Sequence, residues 1–450
     1  MRERMCGFMV LIIISLLVIS CSEKTTEPEN RVSTPEFDPP AGIYSPPLFV
    51  AITCETEGVI IRYTTDGSMP TSSSSRYTEP IEIITHTQLR AVAFKFGWKE
   101  SFPGNAYYEI YDIVPDAIHP SEGDGTEENP YQIATLENLY WISANSDKWS
   151  KHYMQTADID ASATSDWFDE QGWLPIGWSP TDGRYGCFTG TYDGQGYTIE
   201  GLYSNRSEMN GNGLLGIVRN ASIQNLFMTN VDITGDWYVG GLAAMACNSE
   251  IINCHVSGVV NGTRCVGGLV GSAYFYSRVS DSSSSAYVNG DVESGGLIGR
   301  ADFSIVENSY SKGIVEGNRW IGGLVGTLWY SSIVNSYCTG DVTGDSVVGG
   351  LVGMNGNVSL ITNCYSTGSV TGEEDTGGLV GITSEGVVVE SFWDFETSGQ
   401  TESSGGEGKS TEEMKTESTY TDVGWDFDTI WSINGNINEG YPYLQSNLPN

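Results

Sequence analysis

From residue 214 onward the apolar positions repeat on a period far longer than that of a helix turn or a strand. A leucine flanked by glycines falls at Leu214, Leu242, Leu269, Leu297, Leu324, Leu351 and Leu379, at intervals of 27 or 28 residues. The surrounding word is GGLVG at 267, 322, 349 and 377, with GGLAA at 240 and GGLIG at 295. A second column runs Asn225, Asn253, Asp281, Asn308, Asn335, Asn363, Glu390, and a third is glycine at 235, 262, 290, 317, 344 and 372. Each period reads GGLVG, a variable loop, I-x-N-[CS]-Y-S, then G-x-V-x-G. That pattern predicts three short β-branched strands separated by glycine-rich corners, and nothing in it has helical spacing.

A repeat this short cannot bury its own apolar face, so neighbouring copies must stack. The stacking mode that fits is a parallel β-helix, each strand pairing with its copy one coil later at a rise of about 4.8 Å. Columns in the sequence then become physical ladders. The Leu and Val of the word, with Ile361 and its equivalents, are expected inside, and the flanking glycines are expected to provide corner conformations that a Cβ would obstruct. Asn225, Asn253, Asn308, Asn335 and Asn363 are expected to form an amide ladder that satisfies polar groups at one corner. Ile361 and Cys364 both suit the interior yet lie three apart, which predicts a bend at Asn363. The column Tyr310, Tyr337, Tyr365 fits either face.

Outside the repeats the patterns differ. In residues 35–111, Leu48, Val50, Ile52 and Cys54 alternate, as do Val92, Phe94 and Phe96, the two-residue period of half-buried strands. The run TTDGSMPT at 64–71 supplies Asp-Gly and Pro for a turn. Thr135 can cap a short helix carrying Leu136, Leu139, Tyr140 and Ile142. Near the C-terminus, Ser410 and Glu413 form a capping box. The aromatics Trp425, Phe427, Trp431, Tyr441 and Tyr443 are expected to cover the open edge of the last coil, which would otherwise invite unwanted pairing.

Composition narrows the class. Fifty-seven acids against 21 bases give a net charge of −36, which repels nucleic acid and anionic lipid. Twelve tryptophans and 11% aromatic residues argue for packed structure rather than an acidic disordered chain. Residues 1–20 read as an export signal: Arg2 and Arg4 precede an apolar run too short to span a bilayer comfortably. The run ends in Val18-Ile19-Ser20-Cys21, which resembles the lipobox of bacterial lipoproteins. That resemblance implies cleavage before Cys21, its acylation, a membrane partner through the lipid and a cell-envelope location, with the outer membrane expected because Ser22 gives no retention cue. Residues 21–34 then form a polar tether. The seven later cysteines, Cys54, Cys187, Cys247, Cys254, Cys265, Cys338 and Cys364, contain no C-x-x-C pair and are expected to be small buried fillers.

Two further resemblances organise the chain. "PPAGIYSPPLFVAITCE", "IRYTTDGSMPTSSSSRYTEPIEI" and "LRAVAFKFGWKES" are together similar to the chitobiase/β-hexosaminidase C-terminal-type domain, which implies an immunoglobulin-like β-sandwich acting as a spacer. The repeated word resembles the GLUG motif of bacterial surface proteins, over about residues 120–445, which implies a β-helical stalk or adhesin-like body without catalytic residues. The expected fold is all-β: signal 1–20, tether 21–34, sandwich 35–111, parallel β-helix 112–395 with an N-terminal capping segment, and C-terminal cap 396–450.

Candidate chemistry is sparse. SSGGEGKST at 403–411 has serine where a phosphate loop needs its first glycine, so no nucleotide is expected. GLUG motifs also occur in IgA-cleaving metalloproteases, but His86, His119, His152 and His255 lack the helical-turn spacing of a zinc site, and no metal or other cofactor is expected. β-Helices that act on polysaccharides need clustered carboxylates. Here Asp281 sits between asparagines of its column, Asp158 and Asp160 read as solvent-facing, and Glu373, Glu374 and Asp375 as a solvated corner. The binding candidate is aromatic. Phe275, Phe303 and Tyr330 follow the word by four residues in three successive periods, with Tyr274 and Trp329 beside them. They suit a flat strip for a glycan or a cell-surface protein, although rings at this spacing can equally cover a loop or face the core. The reading is a non-catalytic envelope lipoprotein that presents a binding surface, the alternative being a polysaccharide lyase or hydrolase.

Overall fold

The computed structural model describes residues 30–178 and 186–449. The export segment, Cys21 and most of the tether lie outside the described residues. The chain divides into two compact units, the second comprising Ile110–Asn450 together with Ile43–Pro46. Among the described residues no helix is long and apolar enough to cross a membrane.

The first unit is antiparallel. Leu48–Thr53 pairs with Glu36–Asp38 on one side and with Ile81–Ile83 on the other. A second sheet joins Ile60–Thr64, Ser75–Arg76, Thr87–Phe94 and Gly104–Ile110. Val50, Ile52, Ile81, Ile83, Leu89, Ala91 and Ala93 are buried, the alternation that half-buried strands require. One expectation needs correction: the strand ends at Phe94, and Phe96 beyond it is fully exposed. The inward parity belongs to Leu89, Ala91 and Ala93, because Val92 is an extra buried residue on the opposite face. The turn holds as a small Asx motif, with Asp66 Oδ1 accepting from Ser68 N at 2.9 Å and Gly67 at φ +75°.

The second unit is a parallel β-solenoid of about seven turns whose coils are about 28 residues long. It opens with Tyr131–Ile133 and the helix Leu136–Ala144, where Thr135 Oγ1 accepts from Asn138 N at 3.2 Å. Three parallel faces follow. One runs ten strands from Tyr131–Ile133 to Val387–Val389, and a second runs seven from Leu215–Arg219 to Val380–Ser384. The third collects the shorter Tyr-Ser, Val-x and x-x-x-Gly pieces. Register is strict, so that Val306, Ile333 and Ile361 pair in succession. Those residues and Leu269, Leu297, Leu324, Leu351 and Leu379 are all 0% exposed.

The corners work differently from expectation. None of the word's glycines has a positive φ. They are glycine because neighbouring backbone leaves no room: a Cβ on Gly267 would fall on the Val270 carbonyl and 2.8 Å from Gly299 N. The left-handed conformation is carried instead by non-glycine residues in three columns. The first is Asn225, Asn253, Asp281, Asn308, Asn335, Asn363 and Glu390, at φ 47–54°. Asparagine tolerates this region better than most side chains. The turn at Asn363 (φ 52°) is what lets Ile361 and Cys364 both point inward.

After Asn225, which Leu226 follows, the residue after this corner is Cys or Ser, and the serines have a role that the period alone does not disclose. A serine here accepts the equivalent backbone N–H of the preceding coil: Ser282 N donates to Ser309 Oγ (3.2 Å), Ser309 N to Ser336 Oγ (3.2 Å), and Cys364 N to Ser391 Oγ (3.1 Å). The opposite corner repeats the device, with Ser304 N donating to Ser331 Oγ and Ser331 N to Ser359 Oγ. Buried corner amides are thereby paired, as burial demands.

The C-terminal segment also departs from expectation. The last coil is covered by the stretch 399–409, in which Glu407–Lys409 pairs in parallel with Phe392–Asp394 and Ser403 Oγ accepts from Val380 N. The capping box then forms at Ser410 and Glu413. The aromatics beyond it run back along the side of the solenoid as a strap. Tyr310, Tyr337 and Tyr365 face outward in a stack with centroids 4.9 and 5.0 Å apart. Trp425, Trp431, Tyr441, Tyr420 and Leu444 bury that stack from outside. The strap's end is tied by Asn447 Nδ2, which donates to Ser282 O and Asn308 O.

Candidate functional site

The side chains of the asparagine column are linked in two runs. Asn253 Nδ2 donates to Asn225 Oδ1 at 2.8 Å, and Asn225 Nδ2 to Asp193 Oδ1 at 3.0 Å. Asn335 Nδ2 donates to Asn308 Oδ1 at 3.4 Å, and Asn363 Nδ2 to Asn335 Oδ1 at 3.3 Å. Asp281 separates the runs and accepts from Ser446 Oγ in the strap.

The second left-handed column lies after the word and reads Asn220, Asn248, Phe275, Phe303, Tyr330, Asn357, Glu385. In three successive coils an aromatic residue replaces the asparagine that suits the conformation. Holding a bulky residue there costs of order 1–3 kcal/mol each, and such strain concentrates at ligand-binding positions. Phe275 is 61% exposed, Phe303 43% and Tyr330 50%. The backbone ladder continues through the corner, Phe303 N donating to Trp329 O and Tyr330 N to Asn357 O. The rings therefore stack at the coil rise, Phe303 on Tyr330 at 4.6 Å and 7°. Tyr274 sits 6.0 Å from Phe275 and, like Trp329, is only half-exposed. Ile305, Val358, Leu360, Val387 and Val389 extend the exposed apolar surface alongside.

The third left-handed column, Tyr238, Cys265, Glu293, Trp320, Val347, Asp375, holds a charge network that the period does not reveal. Glu293 is 2% exposed and receives Arg264 Nε at 2.7 Å and Arg300 Nη1 at 3.0 Å, while Arg300 Nε also donates to Asp302 at 2.8 Å. The Cys265 thiol donates to Glu293 at 3.2 Å. The cluster pairs two arginines with two acids, so it is neutral and internally satisfied, which a buried carboxylate requires.

The histidines are placed apart. His119 packs edge-on against Trp141, and His152 Nδ1 meets Thr191 Oγ1 at 2.9 Å. His255 lies between two partners, Nδ1 at 2.7 Å from Ser283 Oγ and Nε2 at 3.2 Å from Asn253 Oδ1. Burial pushes its pKa down to about 4. Among the described residues no group of three or more His, Cys, Asp or Glu is placed to hold a metal ion. Cys247, Cys254, Cys265, Cys338 and Cys364 are buried and form no disulfide, whereas Cys54 and Cys187 are half-buried rather than interior. Burial pushes the Cys254, Cys338 and Cys364 thiols up to about 12, so they stay protonated and unreactive. Asp158 and Asp160 are exposed and cap backbone N–H groups of Thr198 and Ser162. Glu373, Glu374 and Asp375 form an exposed corner.

Known proteins resemble the chain in parts. Residues 39–103 match the family model for the chitobiase/beta-hexosaminidase C-terminal domain, and residues 262–289 and 344–371 match that for the GLUG motif. The chain is 39% identical over 164 residues to halomucin of Haloquadratum walsbyi, covering 36% of this chain and 2% of halomucin. It is 33% identical over 132 residues to a putative Gly-rich membrane protein of Evansella cellulosilytica, covering 29% and 14%. It is 34% identical over 126 residues to an immunoglobulin A1 protease of Streptococcus sanguinis, covering 26% and 6%. A solved IgA1 protease structure aligns over 77% of this chain and 24% of its own, at 17% identity and a TM-score of 0.35. The chain thus spans a small fraction of the length of each of these proteins.

Proposed function

We propose that this protein is a lipid-anchored, non-catalytic component of a bacterial cell envelope whose solenoid presents a binding surface for adhesion, with the strip Phe275, Phe303 and Tyr330 as the contact. One observation carries the reading. Three adjacent coils accept backbone strain to hold exposed aromatic rings at a corner that flanking coils occupy with Asn248 and Asn357. Core packing does not offset that strain, because the rings face solvent. A flat, parallel ring pair suits the apolar face of a sugar or an aromatic-rich protein surface. A surface location is in keeping with two of the relatives, halomucin and a putative Gly-rich membrane protein.

The test pairs a Phe303→Ala/Tyr330→Ala variant with the parent in binding to glycan arrays and to whole cells. The variant is expected to keep its thermal midpoint and to lose at least about tenfold in affinity, or about 1.4 kcal/mol. Equal binding by the two proteins would refute the strip. Anchoring is separable: Cys21→Ala is expected to abolish lipid labelling and membrane fractionation, and protease shaving of intact cells reads which side the chain faces.

A further inference from the structure

A second site lies on the solenoid face that carries the strap. The strap buries the aromatic column from Tyr310 to Phe392, and the same column continues past the strap's end through Ser283, which is buried, to His255 and Phe227, which are half-exposed. A cavity of about 280 Å³ opens there, lined by Phe227, His255, Ser257, Ser283, Tyr310 and Lys312. A second cavity, of about 460 Å³, is lined by Lys312, Thr339, Asp341, Thr367, Glu439 and Tyr441. Lys312 borders both, and their lining residues follow one another on successive coils, so the two cavities lie end to end as a groove along the solenoid axis. From Thr198 to Thr367 it spans six coil rises of about 4.8 Å, roughly 29 Å.

We propose that this groove binds an extended, neutral polysaccharide. Its lining decides the class. The backbone N–H groups of Ser283, Ser285, Lys312, Thr339 and Thr367 all donate to carbonyls of the preceding coil. An extended peptide could not add to this face as a strand, because strand addition needs a free sheet edge. What the groove does offer is side-chain hydroxyls, those of Ser257, Ser283, Ser285, Thr339 and Thr367. Polyanions are disfavoured by the chain's net charge of −36.

The chemistry at the floor is fixed by the asparagine ladder. Asn253 gives its amide N–H to Asn225, which leaves Asn253 Oδ1 facing His255 Nε2. His255 is therefore protonated on Nε2, and its bare Nδ1 accepts a hydrogen bond from the Ser283 hydroxyl. Ser283 is left presenting oxygen lone pairs, an acceptor for a ligand hydroxyl. The His255 ring packs 4.9 Å from Phe227 and is tilted 40° to it, so two apolar ring surfaces line the floor beside the hydroxyls. Burial keeps the imidazole neutral at neutral pH, and Lys312 is set against the acids Asp341 and Glu439 at the other end of the groove.

The test uses the full chain and a panel of neutral hexasaccharides (cellohexaose, chitohexaose, maltohexaose, xylohexaose and mannohexaose), with polygalacturonate and a Ser-Ala hexapeptide as competitors. At least one hexasaccharide is expected to bind with a Kd below about 1 mM. Ser285 is exposed and borders the cavity, so Ser285→Trp fills the groove without entering the core and is expected to weaken binding about tenfold or more. His255→Gln is expected to weaken it too and to remove the ligand-induced shift of the His255 ring nitrogens seen in the parent. Phe303→Ala/Tyr330→Ala is expected to leave this binding within about twofold, which separates failure of the groove from failure of the strip. The proposal is overturned if no hexasaccharide binds, if Ser285→Trp binds as the parent does, if the strip variant abolishes binding, or if polygalacturonate or the peptide displaces the sugar.

Discussion

Asn335 allows the left-handed corner to be tested by comparing two substitutions at one position. Its φ is 47°, and its amide bridges Asn308 and Asn363 at 3.4 and 3.3 Å. Both Ala and Gly remove those two long hydrogen bonds, each worth about 0.5 kcal/mol at the low end of the range. Both also leave the same neighbouring amide groups short of a partner, so these losses cancel between the variants. What remains is the backbone. Alanine in the left-handed region costs roughly 1–2 kcal/mol, while glycine carries no such cost and loses about 0.5–1 kcal/mol through the entropy of the unfolded chain. Asn335→Ala should therefore be less stable than Asn335→Gly by about 0.5–1 kcal/mol, the reverse of the order in an ordinary strand. Native-state hydrogen exchange at the corner amide, which bonds to Thr362 O, reads this locally. Exchange should be about two- to fivefold faster in Asn335→Ala than in Asn335→Gly. Equal rates, or slower exchange in the alanine variant, would refute the claim that backbone conformation selects asparagine here.

Three other outcomes follow from the packing. Gly323→Ala should destabilise by about 1–3 kcal/mol despite an ordinary φ, because its Cβ would fall on Gly350 O and Cys338 Sγ; Gly435→Ala, with nothing within 4 Å, should leave the thermal midpoint unchanged. His255 has a folded pKa lowered to about 4 from 6.5, so the unfolded chain binds more protons between those values, and stability should fall as pH drops from 6.5 to 4. The loss attributable to this residue is up to about 3 kcal/mol, and urea titrations of His255→Gln should lack that share of it. Tyr365→Phe removes a donor to Pro442 O and an acceptor for Asn438 Nδ2, and should cost about 1–2 kcal/mol and make the strap a preferred site of limited proteolysis.

The repeats were legible because in-register stacking converts sequence columns into contacts, so Leu269, Ile333 and Asn335 announce their places by recurrence alone. The same recurrence pointed to Phe275, Phe303 and Tyr330 but not to their backbone, since aromatic residues rarely occupy the left-handed region and nothing in their spacing signals it. The role of the word's glycines is ambiguous in sequence for a related reason. A glycine that avoids a clash and one that adopts a positive φ look identical there, and only Gly299 N beside Gly267 tells them apart. Trp425 and Trp431 have no period, so their destination on the Tyr337–Tyr365 stack was unreadable, and the groove at His255 draws single residues from several coils. The network around Glu293 was hidden because its column changes chemistry at every coil.

The strap couples two lengths that a repeat protein could otherwise vary independently. It starts beyond the last coil and its end is bonded to Asp281, Ser282 and Asn308, so its reach is matched to the number of coils between them. Duplicating a coil inside that interval would add a rung that the strap cannot cover, or pull its terminal anchors off their partners. Duplicating one before Asp281 would leave every strap contact intact. The strap therefore acts as a ruler, and variation in coil number among proteins built this way should accumulate on the N-terminal side of the rung at which it ends.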